Sequence, residues 1–242
     1  MEAIKIDNLT KRYKDILAVD NLCLTVNKGE LLSLLGVNGA GKTTAIKMLS
    51  CLTAPTFGDA FLMGKSICTD PGAVKAMIAV SPQETAVAPG LTAYENLALI
   101  CGVHGFDKAK REAKINELSS LLGLGEILKR KAGKLSGGWQ RRLSIAMALI
   151  SEPQILFLDE PTLGLDVIAR SELWDIIRKL KQNATIVLTT HYMEEAEALS
   201  DRVAIMKDGK LILCDTPEQI KESAGATTFE EAFISIVKGV AK

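Results

Sequence analysis

The chain lacks a net charge: its 242 residues carry 29 Lys and Arg against 29 Asp and Glu. With no global positive field to gather nucleic acid, a dedicated DNA or RNA binder is disfavoured. Cysteines are few and unpatterned. Cys23, Cys51, Cys68, Cys101 and Cys214 are odd in number and show no C-x-x-C spacing. That excludes neither reactivity nor burial, but it points away from a disulfide framework or zinc site and toward reduced cytosolic thiols. No uninterrupted apolar run approaches the ~18 residues of a membrane helix. The opening MEAIKIDNLT is acidic and alternating, where a signal peptide would have a basic start and an apolar stretch. If the protein works at a membrane, another chain is expected to span it. Internal repeats and low-complexity linkers are also missing.

What is present is apolar sequence, 48% of the chain, enough for one substantial core with a small inserted lobe. The first thirty residues, with IKIDNL and LCLTV, read as strands of an antiparallel layer. ELLSLLGV, ILFLDE and TIVLTT are near-continuous apolar runs, the pattern of strands covered on both faces in a parallel sheet. Between residues 84 and 151 the pattern turns helical, and Thr92 with Glu95 predicts a capping box. RVAIMKDGKLILCD predicts two strands about an Asp208-Gly209 turn. Two capped helices are expected in the tail, one at Thr216-Pro217 with Gln219 in the box position, one at Thr228 with Glu231. The fold class is therefore α/β, with a core in residues 1–83 and 152–242 and a helical subdomain in 84–151.

Three stretches carry chemistry. GVNGAGKTT, Gly36 to Thr44, fits G-x-x-x-x-G-K-S/T between a predicted buried strand and a predicted helix. Glycines at 36, 39 and 41 are expected to let backbone N–H groups turn toward a phosphate without obstruction, with the helix near Lys42 adding its positive end. Lys42 would neutralise β/γ oxygens, and Thr43 would offer its hydroxyl to magnesium, so the expected ligand is a Mg-nucleotide. ILFLDEPTLGLD ends a strand on two adjacent carboxylates, and side-chain alternation would let Asp159 hold metal while Glu160 activates water. LSGGWQRR places Ser136, Gly137 and Gly138 before a basic helix, a second anion-holding N-terminus, unless Ser136 is an ordinary N-cap.

GVNGAGKTT, SPQ, LSGGWQRRLSIAMALISEPQILFLDEPTLGLD and TTHYMEEAEALSDRVAIMKDGKLI, in this order, resemble the nucleotide-binding subunit of an ABC transporter over nearly the whole chain. The resemblance implies a P-loop NTPase core with a mainly parallel sheet, an N-terminal antiparallel layer and an inserted helical signature subdomain. It implies ATP held by Gly36, Asn38, Gly39, Gly41, Lys42, Thr43 and Thr44, with Tyr13 stacking on adenine, although Tyr13 also reads as an ordinary strand aromatic. Magnesium would be held by Thr43, Asp159 and Gln83, with Glu160 as the base. His191 would touch the γ-phosphate, unless it is simply a helix-start histidine; His104 carries no motif. Ser136, Gly137 and Gly138 would contact ATP held by the other subunit of a head-to-tail pair. Asp166 would be the D-loop aspartate, the cap of a helix near Val167, or both.

Trp139 and Leu163 depart from the family's usual glutamine and serine, so polar contacts at those positions do not carry over. By the resemblance, the partners are separately encoded transmembrane permease subunits and a second ATPase subunit, identical or similar, with no nucleic acid expected. The place of work would be the cytoplasmic face of the cell membrane, held there through the permease. THYMEEAEALSDRV looks like subunits of drug, antibiotic or sodium efflux systems. The alternative is a non-transport ABC ATPase acting as a mechanical or regulatory module; such relatives resemble tandem cassettes or carry coiled coils or zinc insertions, which this sequence lacks.

Overall fold

A computed structural model describes residues 1–239; Val240 to Lys242, assigned above to the core, lie outside the described residues. β1 (Glu2–Tyr13) and β2 (Ile16–Asn27) pair antiparallel, and β4 (Phe57–Leu62) and β5 (Lys65–Ser66) extend them into a four-stranded sheet in the order β2-β1-β4-β5. The remaining strands are β3 (Leu31–Leu35), β6 (Ile78–Ser81), β7 (Ile155–Asp159), β8 (Thr185–Thr190), β9 (Arg202–Lys207) and β10 (Lys210–Asp215). They form a six-stranded sheet ordered β10-β9-β3-β8-β7-β6, parallel throughout except at the β10 edge.

The continuous apolar runs have a visible cause. In β7, Phe157 points into a cluster with Ile4, Met48 and Leu34 beneath the antiparallel sheet, while its neighbours Leu156 and Leu158 enter a second cluster with Leu97 and Leu143 on the opposite face. All five β7 residues are buried, so no position can be polar for solubility's sake until the strand ends at Asp159. Each such leucine contributes ~1.5–3 kcal/mol on burial.

Helices α1 (Lys42–Leu49), α2 (Pro71–Met77), α6 (Val167–Leu180) and α7 (Met193–Leu199) flank the parallel sheet. Residues 84–151 hold α3 (Ala93–Val103), α4 (Lys108–Leu122), two short 3₁₀ turns and α5 (Gly137–Leu149). Thr92 and Glu95 make the full reciprocal capping box at α3. In the tail, α8 (Pro217–Ala224) and α9 (Phe229–Lys238) pack Ile220 and Phe229 against Val203 and Ile205. Thr228 and Glu231 close a complete box, whereas at α8 only half forms: Thr216 accepts from the Gln219 N–H, but Asp215 takes the Thr216 N–H instead. Asp215 is one residue away and charged, so it outcompetes the glutamine. No helix among the described residues is long and apolar enough to cross a membrane.

Candidate functional site

Four parallel strands end at one place. β3 runs into the glycine-rich loop, β6 toward Gln83, β7 into Asp159-Glu160 and β8 into His191, and the crevice at the carboxyl ends of such strands is where α/β sheets bind ligands. A cavity of about 740 Å³ opens there, lined by Asn38 to Thr44, Gln83, Glu160, Leu163 and His191, with Ile16 to Ala18 on one wall.

Two of the loop's glycines are required by packing. A Cβ at Gly36 would lie 2.4 Å from the Met206 carbonyl, and one at Gly41 would lie 2.5 Å from that of Ala18. Gly41 also has φ near +99°, as does Gly39 at +84°, where side chains are strained even with open space around them. The loop thus sits tightly on β2 and β9 through Gly36 and Gly41, a packing demand beside the phosphate-facing one expected from sequence. Lys42, 5% exposed, opens α1 and donates to the Gly36 carbonyl at 2.7 Å and that of Val37 at 3.2 Å. Burial pushes its ammonium below the ordinary lysine range, against the opposing pull of Glu160 and Asp159.

Thr43 and Asp159, 116 positions apart, meet: the Thr43 hydroxyl donates to Asp159 Oδ1 at 3.2 Å, and Thr189 donates to the same oxygen at 2.5 Å. Glu160 adopts φ near +49°, uncommon for a residue with a side chain. Its N–H is held by the Thr189 carbonyl and hydroxyl, at 3.1 and 3.0 Å. This turn, and not strand alternation as expected, sends the two carboxylates to different places: Asp159 to Thr43, Glu160 into the cavity. Glu160 Oε2 lies 2.6 Å from His191 Nδ1, and Oε1 lies 3.6 Å from Lys42 Nζ.

Other singled-out residues stand apart. Tyr13 is 42% exposed under the Lys11 ammonium and is absent from the cavity wall; its cross-strand partner Ile16 is the residue that lines it. Ser136, Gly137 and Gly138 begin α5 away from the cavity lining. Ser136 occupies the N-cap position, exposed, without the side-chain bond a plain cap would make. A Cβ at Gly138 would come within 3.2 Å of Ala169, so this glycine lets α5 press on the start of α6. Asp166 does cap α6, accepting from the Ala169 N–H at 2.9 Å. Trp139 is half-buried beneath Arg142, which pairs with Glu172 of α6.

A family model described as ABC transporter matches residues 19–163. The chain belongs to the ABC transporter family. This ABC subunit is 40% identical over 225 residues to the daunorubicin/doxorubicin resistance ATP-binding protein of Streptomyces peucetius, covering 93% of this chain and 68% of that one. It is 40% identical over 234 residues to the doxorubicin resistance ATP-binding protein of Mycobacterium tuberculosis, covering 94% and 70%. Among solved structures, an ATP-binding cassette described as a dimer in a post-hydrolysis state bound to ADP and Pi superposes with a TM-score of 0.79 at 28% identity, over 88% of this chain and 98% of that one. The ABC subunit is accordingly an ATP-binding protein and an ATP hydrolase with the α/β P-loop fold.

Its oxygen donors suit magnesium. Thr43 and Asp159 supply a hydroxyl and a carboxylate side by side, with Gln83 on the same cavity wall, while no cluster of three or more His, Cys, Asp or Glu gathers among the described residues. Such a sparse hard-donor set fits an ion completed by phosphate oxygens and water.

Two residues that support this ABC site have no signal in the sequence. Thr189 fixes both carboxylate-bearing residues, yet looks in sequence like one more residue of an apolar strand. Glu195, on α7, is fully buried, its Oε1 accepting from the Trp174 indole at 3.0 Å. Burial, the largest influence, raises the Glu195 pKa, opposed by hydrogen bonding from neighbouring side chains. A raised folded-state pKa means that ionisation costs stability once pH exceeds the unfolded value of ~4.3. Glu195→Gln keeps the acceptor for Trp174 and removes that cost. Its melting temperature is expected to exceed the parent's at pH 7, with the gap closing on acidification below pH ~4.3; a gap independent of pH would exclude the buried carboxylate as its source.

Proposed function

We propose that this subunit drives export of a drug through separate membrane-spanning permease subunits, working at the cytoplasmic face of the membrane as one of a head-to-tail pair. The observation that carries the pairing is the split between two anion-holding features. One is a cavity with Lys42, Thr43, Glu160 and His191 around it; the other is an exposed α5 N-terminus with its serine unbonded, outside that cavity. A second copy facing the opposite way brings its Ser136, Gly137 and Gly138 over the first copy's nucleotide. The division into a core of residues 1–83 and 152–242 and a signature subdomain of 84–151 follows the same logic, with the subdomain presenting that second surface.

Within one half-site, Lys42 neutralises β- and γ-phosphate oxygens and Asn38 to Thr44 wrap the phosphate tail. Thr43, Asp159 and Gln83 would hold magnesium, which when bound draws charge from the phosphate oxygens. Glu160 accepts a proton from the attacking water as its oxygen bonds to the γ-phosphorus. The bond from that phosphorus to the bridging oxygen breaks, leaving ADP and phosphate. His191 fixes the Glu160 carboxylate and stands where a γ-phosphate arrives. Asp166 links the two sites across the pair, and Tyr13, beside Ile16, is the neighbour available to adenine. Loss of the γ-phosphate removes the contacts that favour the closed pair, so the subunits separate and pull the permease with them. Support for export is the likeness to resistance proteins.

Ser136→Arg tests the shared site. The substitution fills the space meant for the partner's γ-phosphate while leaving the same chain's phosphate loop untouched. ATP affinity of isolated monomers, measured by calorimetry, is expected to stay within twofold, with steady-state hydrolysis lowered by about 10²-fold; undiminished hydrolysis would remove the signature from the active site.

A further inference from the structure

Arg141 lies on α5, five residues after Ser136, and only 4% of it is exposed. A buried guanidinium normally sits against a carboxylate, because an unpaired charge in the interior is costly. Among the described residues Arg141 forms no ion pair within 4.0 Å. Its Nη1 donates to the Pro82 carbonyl at 2.6 Å, and its Nη2 donates to the carbonyl of Gln83. The rigid fork of the guanidinium therefore spans two successive carbonyls of the segment that leaves β6 for the cavity. Asp159 and Glu195 are near enough to favour its charge without replacing either bond.

The surroundings make α5 a stiff body. Ser144 reaches the end of β6 at Ser81, with 3.3 Å between their hydroxyl oxygens. Gln140 donates to the Ala132 and Leu135 carbonyls, pinning the turn before the helix. Arg142 pairs with Glu172, fastening the outer side of α5 to α6. Gln83 itself is exposed and held by its backbone. Gln83 lines the cavity, and the peptide that carries it is held by Arg141. At 1.5 Å per residue, Arg141 sits ~7.5 Å along the helix from Ser136.

We propose that Arg141 is a positioning residue: it holds Gln83 in register with the signature helix, so that seating Ser136 to Gly138 on the partner's nucleotide also places Gln83 in the chain's own site. The proposal deepens the paired-site function and rests on it, because Gln83 must matter for hydrolysis. Coupling of this kind is reciprocal: nucleotide contacts that fix Gln83 also favour one placement of α5. Lysine is not an equivalent, since one ammonium on a flexible stem cannot hold two carbonyls in the same plane.

The test is a double-mutant cycle on the full chain with Arg141→Lys and Gln83→Ala, read by kcat, KM for ATP, ATP affinity and melting temperature. Arg141→Lys is expected to lower kcat about tenfold or more per folded molecule, with KM and ATP affinity within threefold of the parent. The double variant is expected to hydrolyse no more slowly than Gln83→Ala alone. Arg141→Met gives a second variant, expected to show the same split with a larger fall in melting temperature. Normal kcat for Arg141→Lys beside an impaired Gln83→Ala, or independent and multiplying losses in the double variant, would overturn the positioning role while leaving the proposed function standing. Normal kcat for Gln83→Ala would instead remove Gln83 from the proposed chemistry, and the positioning role with it.

Discussion

Glu160→Gln is expected to hydrolyse ATP at least about 10²-fold more slowly than the parent, to bind ATP with unchanged affinity, and to accumulate as an ATP-bound dimer. The expectation follows from where the carboxylate sits. Glu160 is buried at 6% exposure, and its two oxygens meet His191 and the ammonium of Lys42. Gln keeps the size and one hydrogen-bond acceptor, so the unusual backbone at φ near +49° and the cavity wall survive. What disappears is the ability to take a proton from water. Binding is then separated from chemistry, and a pair held together by uncleaved nucleotide does not come apart. Single-turnover hydrolysis and gel filtration with Mg-ATP check both parts; turnover at the parent's rate would place the base elsewhere.

Lys42→Ala has the second large effect, and it falls on binding. The ammonium is the cavity's buried cation, 5% exposed, already drawn onto the Gly36 and Val37 carbonyls at the floor of the phosphate loop. Burial opposes its charge, which is tolerable because Glu160 and Asp159 stand nearby. Removing it strands the Glu160 carboxylate beside incoming phosphate negative charge, so attraction is lost and repulsion is exposed together. Losing one partner of a buried charge pair typically costs about 2–5 kcal/mol, or about 30-fold to several thousand-fold in affinity. Calorimetry with Mg-ATP should find that loss; near-parental affinity would mean that the loop backbone alone holds the nucleotide.

Both predictions concern residues that the sequence exposes well, and the reason is local. A glycine-rich turn between a buried strand and a helix, or two carboxylates after four apolar residues, is chemistry written within about ten consecutive positions. The buried strands were equally legible, because Leu31 to Leu35 and Ile155 to Asp159 contact side chains on both faces. β4 and β6 were not. FGDAFL carries Gly58 and Asp59, poor strand formers, and is a strand because β1 pairs with it; IAVS is four residues long and is held against β7.

Relations between distant segments were the least visible. No local pattern announces that Arg141 reaches Gln83, or that Thr189 seats both Asp159 and Glu160. In the sequence Arg141 is one of two adjacent arginines on an amphipathic helix, and nothing distinguishes it from Arg142, whose partner is the surface residue Glu172. Tyr13 is a further case. The resemblance assigns it to adenine; pairing across the β1–β2 turn sets it opposite Ile16, which lines the cavity, a relation that the sequence does not display.

Mixing two inactive variants probes the shared site most directly. Ser136→Arg keeps an intact phosphate loop and lacks a working signature; Lys42→Ala keeps the signature and lacks the phosphate loop's lysine. In a head-to-tail pair of one of each, one composite site has both parts whole. Combining the two purified chains is expected to restore ATP hydrolysis that neither shows alone, rising with total concentration as mixed pairs form. Absence of recovery, with both variants folded, or a parent chain whose specific activity does not change on dilution far below the pairing concentration, would contradict a site built from two molecules.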